Sequence, residues 1–222
     1  MSEIISSIKL DFYSMKHLYS GAILAIIIGI IIGFVTNPIT IIMVEITFSA
    51  YFLSMCFAVH DKSNFNKLYG VLPINKNQIV IGRYLFSTCF VTAMGILSFI
   101  LYYFISTIMG GPFNIVTSSA SVCGSFIIFA LFIGIQFPLY YKYEYSKVMI
   151  ISILPFVLVF AIGVPVISKI LKNADNMKKL INSLMYFQTH PYMIWVLGIG
   201  IGFLLLVFSG VTSCVLFRKR EL

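Results

Sequence analysis

From Tyr84 to Tyr141 the chain carries no charged residue and no histidine. A bilayer core of about 30 Å takes about 20 helical residues at 1.5 Å each, so this stretch is long enough for two crossings. Gly110-Gly111-Pro112 supplies a break between them. The rest of the chain repeats the pattern. Charged and histidine side chains fall in clusters, Glu3 to His17, His60 to Arg83, Lys142 to Lys147, Lys169 to Lys179 and Arg218 to Glu221, and only Glu45 and His190 interrupt the intervals. Charged residues make up 10% of the chain and apolar ones 60%, against about 25% charged in a soluble domain. A water-soluble fold is excluded, and the expected fold class is an all-α polytopic membrane protein forming a single transmembrane domain over residues 1–222.

Six spans are expected. Leu18 to Val59 is too long for one crossing, and Thr36-Asn37-Pro38 divides it, because proline cannot continue a helix. The spans are then residues 18–35, 38–59, 84–109, 118–141, 148–168 and 193–217. An even number places both termini on one side. The positive-inside rule chooses the side. With the termini in the cytoplasm, Lys9, Lys16, Lys62, Lys67, Lys76, Arg83, Lys142, Lys147, Arg218, Lys219 and Arg220 lie inside, and only Lys169, Lys172, Lys178 and Lys179 lie outside. The net charge of +8 is mostly this orientation signal, and no basic face with interleaved aromatics points to nucleic acid. The first span lacks a small-residue cleavage site and turns directly into the second, so it reads as a span rather than a signal peptide.

Between the spans, residues 1–17 set Ile4, Ile5, Ile8, Phe12 and Met15 against Glu3, Ser6, Lys9, Asp11 and Lys16. That spacing suits an amphipathic helix lying in the headgroup plane, with an unstructured tail as the alternative. The inner segment His60 to Arg83 contains a short helical pattern, Phe65, Leu68, Tyr69 and Leu72, which Asp61 or Ser63 can cap and Pro73 ends. Asn75 can cap the helix that follows. Such an element is either a docking surface for a soluble partner or a solvated loop that supplies inner charge. The outer segment Lys169 to Pro191 carries an apolar stripe, Leu171, Met177, Leu180, Ile181, Leu184, Met185 and Phe187, expected as one or two short helices on the outer leaflet.

Within the spans, Gly21, Ala25, Gly29 and Gly33 recur every four residues, as Gly198 and Gly202, and Ser209 and Ser213, do in the last span. Small residues at this spacing let helix backbones approach closely, within one subunit or between two. Glu45 is the single ionisable carboxylate inside a span. A lone intramembrane carboxylate costs several kcal/mol unless protonated, paired or hydrated. Ser49, Phe52 and Cys56 continue its face, which either lines a pathway or packs in a helix interface around a protonated Glu45. Cys56, Cys89, Cys123 and Cys214 lie in or near spans without paired spacing and read as small packed thiols. The chain holds no G-x-x-x-x-G-K-[ST] phosphate loop, no H-E-x-x-H and no close carboxylate pair, so no enzyme or resident metal is expected.

Asp61-Lys62-Ser63, Asn66-Lys67, Leu72-Pro73-Ile74, Lys76, Ile79-Val80 and Arg83-Tyr84 together resemble a motif of the permease subunits of ABC transporters of the ABC-type-2 exporter class. Pro138-Leu139-Tyr140-Tyr141-Lys142-Tyr143 with Ser146-Lys147 is similar to a second segment of that class, with Glu144 where the pattern has glycine. Within the class the chain looks like the small permeases that export peptides such as phenol-soluble modulins, bacteriocins or lantibiotics. The resemblance implies a multi-pass protein of the bacterial cytoplasmic membrane and a transporter of two permeases, identical or homologous, with two cytoplasmic ATPase subunits. ATP and Mg would bind on those partners, with no cofactor in this chain. It implies that His60 to Leu72 is a coupling helix held by the ATPase. There Phe65, Leu68 and Tyr69 would make the apolar contact, and Asp61, Lys62 and Lys67 would orient it. The first and fifth spans would line the permease dimer interface. Two alternatives remain at this stage. One is the substrate-binding membrane component of an importer; the other is a membrane protein for immunity to, or sensing of, a peptide.

Overall fold

The computed structural model describes residues 8–9, 11–13, 19–63, 75–111, 115–143, 145–158, 169 and 190–219. Its long helices are α1 (Tyr19–Val35), α2 (Thr40–Lys62), α3 (Lys76–Ile108), α4 (Ile115–Lys142), α5 (Tyr145–Leu158) and α6 (Pro191–Arg218). Residues 8–9 and 11–13 are helical as well, and the described residues contain no strand. Four of the helices, α2, α3, α4 and α6, are long and apolar enough to cross a membrane; α1 is a shorter apolar helix of 17 residues, and the described part of α5 has 14. The expected outer helices between Lys169 and Pro191, the segment carrying Phe65, Lys67, Leu68 and Tyr69, and the second half of the fifth span lie outside the described residues.

The breaks fall where turn chemistry places them. After α1, Asn37 accepts a hydrogen bond from the Ile39 amide through its side-chain oxygen at 3.1 Å, while Pro38 blocks helix continuation. After α3, Gly110 takes a φ of 64°. The Gly111 amide bonds the Ser106 carbonyl at 2.9 Å and the Gly110 amide bonds the Thr107 carbonyl at 3.2 Å. This paired pattern with a left-handed glycine satisfies the last carbonyls of a helix end. Pro191 occupies the first turn of α6, where its missing amide costs nothing.

One boundary differs from the sequence expectation, and one falls where Asn75 was expected to cap. Helix α2 continues through Lys62, so Asp61 sits in its last turn rather than capping a new helix. Helix α3 begins at Lys76 and runs 33 residues without interruption, so the motif around Ile79-Val80 and Arg83-Tyr84 is part of the span-bearing helix. Asn75 does precede that helix in an extended conformation, but its side chain makes no cap bond.

Helix α4 is central, packed against α6, α2 and α5, with α1 on the far side of α2 and α3 between α2 and α6. Phe129, Phe132, Ile133 and Phe137 of α4 and Ile42, Ile46 and Leu53 of α2 are fully buried. The outward faces are apolar too, as lipid requires: Leu204, Phe208 and Val211 of α6 are exposed while Ser209 and Ser213 point inward. Tyr84 of α3 is hydrogen-bonded through its hydroxyl to both Ser209 and Ser213, and Ser209 also donates to the Gly134 carbonyl of α4 at 3.1 Å. The small residues of α6 serve close approach as their spacing suggested: Gly198 lies against Cys123 and Gly202 against Phe126, both on α4.

Candidate functional site

Helices α2, α4 and α6 end, and α3 and α5 begin, at one end of the bundle. This basic end carries Lys62, Lys76, Lys142, Arg218 and Lys219. The chain leaves α2 at Ser63 and re-enters α3 at Asn75, so the segment resembling a coupling helix connects these two helices.

Its base is a buried ionic knot. Arg83, about two turns into α3, donates from Nε to both carboxylate oxygens of Asp11 at 3.2 Å and from Nη2 to Oδ1 at 2.7 Å. Asp11 comes from the N-terminal helical segment and is 1% exposed. The same Nη2 lies within hydrogen-bond distance of Nδ1 of His60 on α2. A guanidinium only donates, so Nδ1 accepts and carries no proton. The remaining ring proton then sits on Nε2, which faces Asp11 Oδ1 at 3.6 Å. The guanidinium also stacks on the Phe57 ring, 4.2 Å from its centroid. Phe57 in turn lies edge-on to Phe137 and Tyr141 and against Tyr140 of α4. Three chain segments far apart in sequence are thus joined to a fourth through one arginine.

The knot corrects the reading of the N-terminal helix. Asp11 was expected on its water-facing side with Lys9. Asp11 instead points into the protein, while Ile8 packs on the core and Phe12 and Tyr13 face outward. A buried guanidinium needs a partner more than a headgroup-level helix needs a regular stripe. Sequence reasoning gave Arg83 a place in the charge count and in the permease-like motif, but no partner. The usable signal was its position, the last cation before a long uncharged stretch, where it had to be neutralised from elsewhere.

Two further links tie the neighbouring helices to this base. The Ser146 amide in the first turn of α5 donates to Asp61 Oδ2 at 3.4 Å, placing a carboxylate where a helix N-terminus favours one. Tyr141 packs on Phe217, and Arg218 donates from Nε to Asn77 at 2.8 Å, joining α4, α6 and α3. Lys62 is exposed at the end of α2.

The second locus is the α1–α2 seam. Gly29 lies against the Glu45 carboxyl, Gly21 against Phe52 and Gly33 against Ile41, and Ala25 is buried between them. The α1 stripe is therefore filled from α2 of the same chain. Glu45 is 2% exposed, and neither of its carboxyl oxygens has a hydrogen-bond partner among the described residues. Ser49 is buried beside it, its hydroxyl donating to the Ile46 carbonyl at 2.5 Å. Glu45, Ser49 and Phe52 thus sit in a closed helix–helix seam in this conformation, not on an open wall.

Among the described residues no group of histidine, cysteine and carboxylate side chains is arranged to hold a metal ion. The family model described as "ABC-2 family transporter protein" matches residues 8–218 of the chain. No curated protein and no solved structure matches it.

Proposed function

Since the chain belongs to the ABC-2 family of transporter proteins, and is a multi-pass membrane component of that kind, we propose that it is the permease of an ATP-driven exporter. Family membership implies a cytoplasmic ATPase partner. In this reading two permeases, identical or homologous, pair with two ATPase subunits in a bacterial cytoplasmic membrane. ATP and Mg bind on the ATPase, and this chain hydrolyses nothing. All six hydrophobic segments cross the membrane, and both termini lie with the basic end in the cytoplasm.

The observation that carries the reading is the buried Asp11–Arg83–His60 knot, which ties together the two helices that the segment from Ser63 to Asn75 connects. A ligand-driven change needs a contact that differs between two states, delivered to an element able to move. A segment held by the ATPase through Phe65, Leu68 and Tyr69, and oriented by Asp61, Lys62 and Lys67, would be such a contact. Because α2, α3 and the N-terminal helix are cross-linked at its base, a push on the segment reaches all three together. Asp61 passes the same displacement to α5. The α1–α2 seam is closed by glycine packing around a Glu45 whose carboxyl has no hydrogen-bond partner among the described residues. Opening it would expose Glu45, Ser49 and Phe52 as a pathway for an amphipathic substrate, a peptide of the toxin, bacteriocin or lantibiotic kind.

Direction and substrate class are tested together with inside-out vesicles holding the permease and its ATPase. ATP-dependent accumulation of a labelled amphipathic cationic peptide inside them is the expected result. Accumulation only in right-side-out vesicles would make the protein an importer component. Peptide binding without ATP-dependent movement in either would make it an immunity or sensing protein.

A further inference from the structure

Helices α3 and α6 meet less closely than α4 and α6, and between their basic halves a groove of about 530 Å³ opens. Val80, Ile81 and Leu85 form one wall and Val207, Val211 and Val215 the other. The polar groups along it are satisfied within the protein. Tyr84 is bonded to Ser209 and Ser213, and Thr88 donates to the Leu85 carbonyl. The exception stands at the end. Arg218 closes the groove at the basic end, its Nε fixed on Asn77 at 2.8 Å, and among the described residues no carboxylate pairs with it. A guanidinium held through Nε still presents the N–H donors of its two outer nitrogens, the fork that matches a phosphate bidentately.

Length agrees with this chemistry. From Phe203 to Arg218 helix α6 rises about 22 Å at 1.5 Å per residue. Half of a bilayer including its headgroup region is about 20–22 Å. The groove therefore runs the depth of one leaflet, apolar where acyl chains lie and cationic where headgroups lie. Lys76 and Lys219 flank the same end. Basic pockets between transmembrane helices on this side are suited to anionic headgroups.

We propose that the α3–α6 groove is a binding site for an anionic phospholipid, one acyl chain lying between Val80–Leu85 and Val207–Val215 and the phosphate held by Arg218. The site lies apart from the α1–α2 seam and the knot, so it is independent of the exporter reading. Such a lipid would clamp α3 to α6 and stabilise the fold according to its concentration relative to its dissociation constant.

The test uses the full chain in detergent, titrated with mixed micelles of phosphatidylglycerol or of phosphatidylcholine with the same acyl chains, or with inorganic phosphate. Thermal unfolding is the readout. Phosphatidylglycerol should raise the midpoint by several degrees more than phosphatidylcholine, and phosphate alone should not. Arg218→Gln, at an exposed helix end, should remove that difference. Lys219→Gln, which changes net charge equally beside the groove, should keep most of it. Gly210→Leu, which fills the groove without touching Arg218, should also remove it. Equal shifts for the two lipids, a full shift from phosphate, a difference that survives Arg218→Gln, or equal losses in the Arg218 and Lys219 variants would each overturn the proposal.

Discussion

Arg83 shows how little a membrane protein's charges can be read one at a time. It sits 5% exposed between a carboxylate, an imidazole and an aromatic ring. Removing one member of a buried ion pair leaves an uncompensated charge and costs about 3–5 kcal/mol, whereas replacing both by apolar groups is often near neutral. Asp11→Ala is therefore expected to lower unfolding stability by that amount, and the pair Asp11→Ala with Arg83→Met to recover a large part of it. A double-mutant cycle from unfolding in detergent checks this, and additive losses would mean that the two residues do not act as a pair. Glu45 behaves differently because among the described residues it has no hydrogen-bond partner to strand. Glu45→Gln keeps shape and hydrogen-bonding capacity, so normal insertion with reduced transport is expected. Wild-type transport rates in this variant would leave Glu45 as a packing residue alone.

Helix ends and helix faces were legible to different degrees. The turn at Asn37-Pro38 and the break at Gly110-Gly111 follow from local chemistry and stand where that chemistry puts them. Helix α2 runs on through Lys62, past the span end expected at Val59, because charged residues extend a helix readily beyond the membrane, whereas α3 begins directly after Asn75, the capping position that the sequence offered. Glycine spacing identified the packing faces of α1 and α6, but not their partners, which depend on tertiary arrangement. The knot was illegible because its members are separated by long stretches of sequence and their residue types are ordinary at a membrane surface. The face of α1 gives a sharp test. Leu at Gly29 would drive a side chain into Glu45, which already lies 3.0 Å from an added Cβ. Overpacking of this kind costs about 1–3 kcal/mol. Gly124→Leu, where nothing lies within 4 Å, is expected to be neutral or stabilising. Both are read from the unfolding midpoint, and equal effects would show that the α1–α2 seam is not tightly packed.

On the scale of the whole molecule, the bundle is an apolar body with one basic end, where a segment connects α2 and α3. Orientation is checked with single cysteines at Ser2, Asn75 and Asn176 in a cysteine-free background. Only the one at Asn176 is expected to react with an impermeant thiol reagent applied to intact cells, and labelling at Asn75 would reverse the assigned sides. The central claim is that the segment on the knot is where an ATPase grips the permease. Aromatic and aliphatic anchors at such interfaces commonly cost about 2 kcal/mol or more when truncated. The most direct measurement is recovery of the ATPase with a permease carrying Phe65→Ala and Leu68→Ala, alongside ATP-driven transport. The expected result is a normally inserted permease that no longer retains the ATPase and no longer transports. A double variant that holds the ATPase and transports at the wild-type rate would contradict the claim.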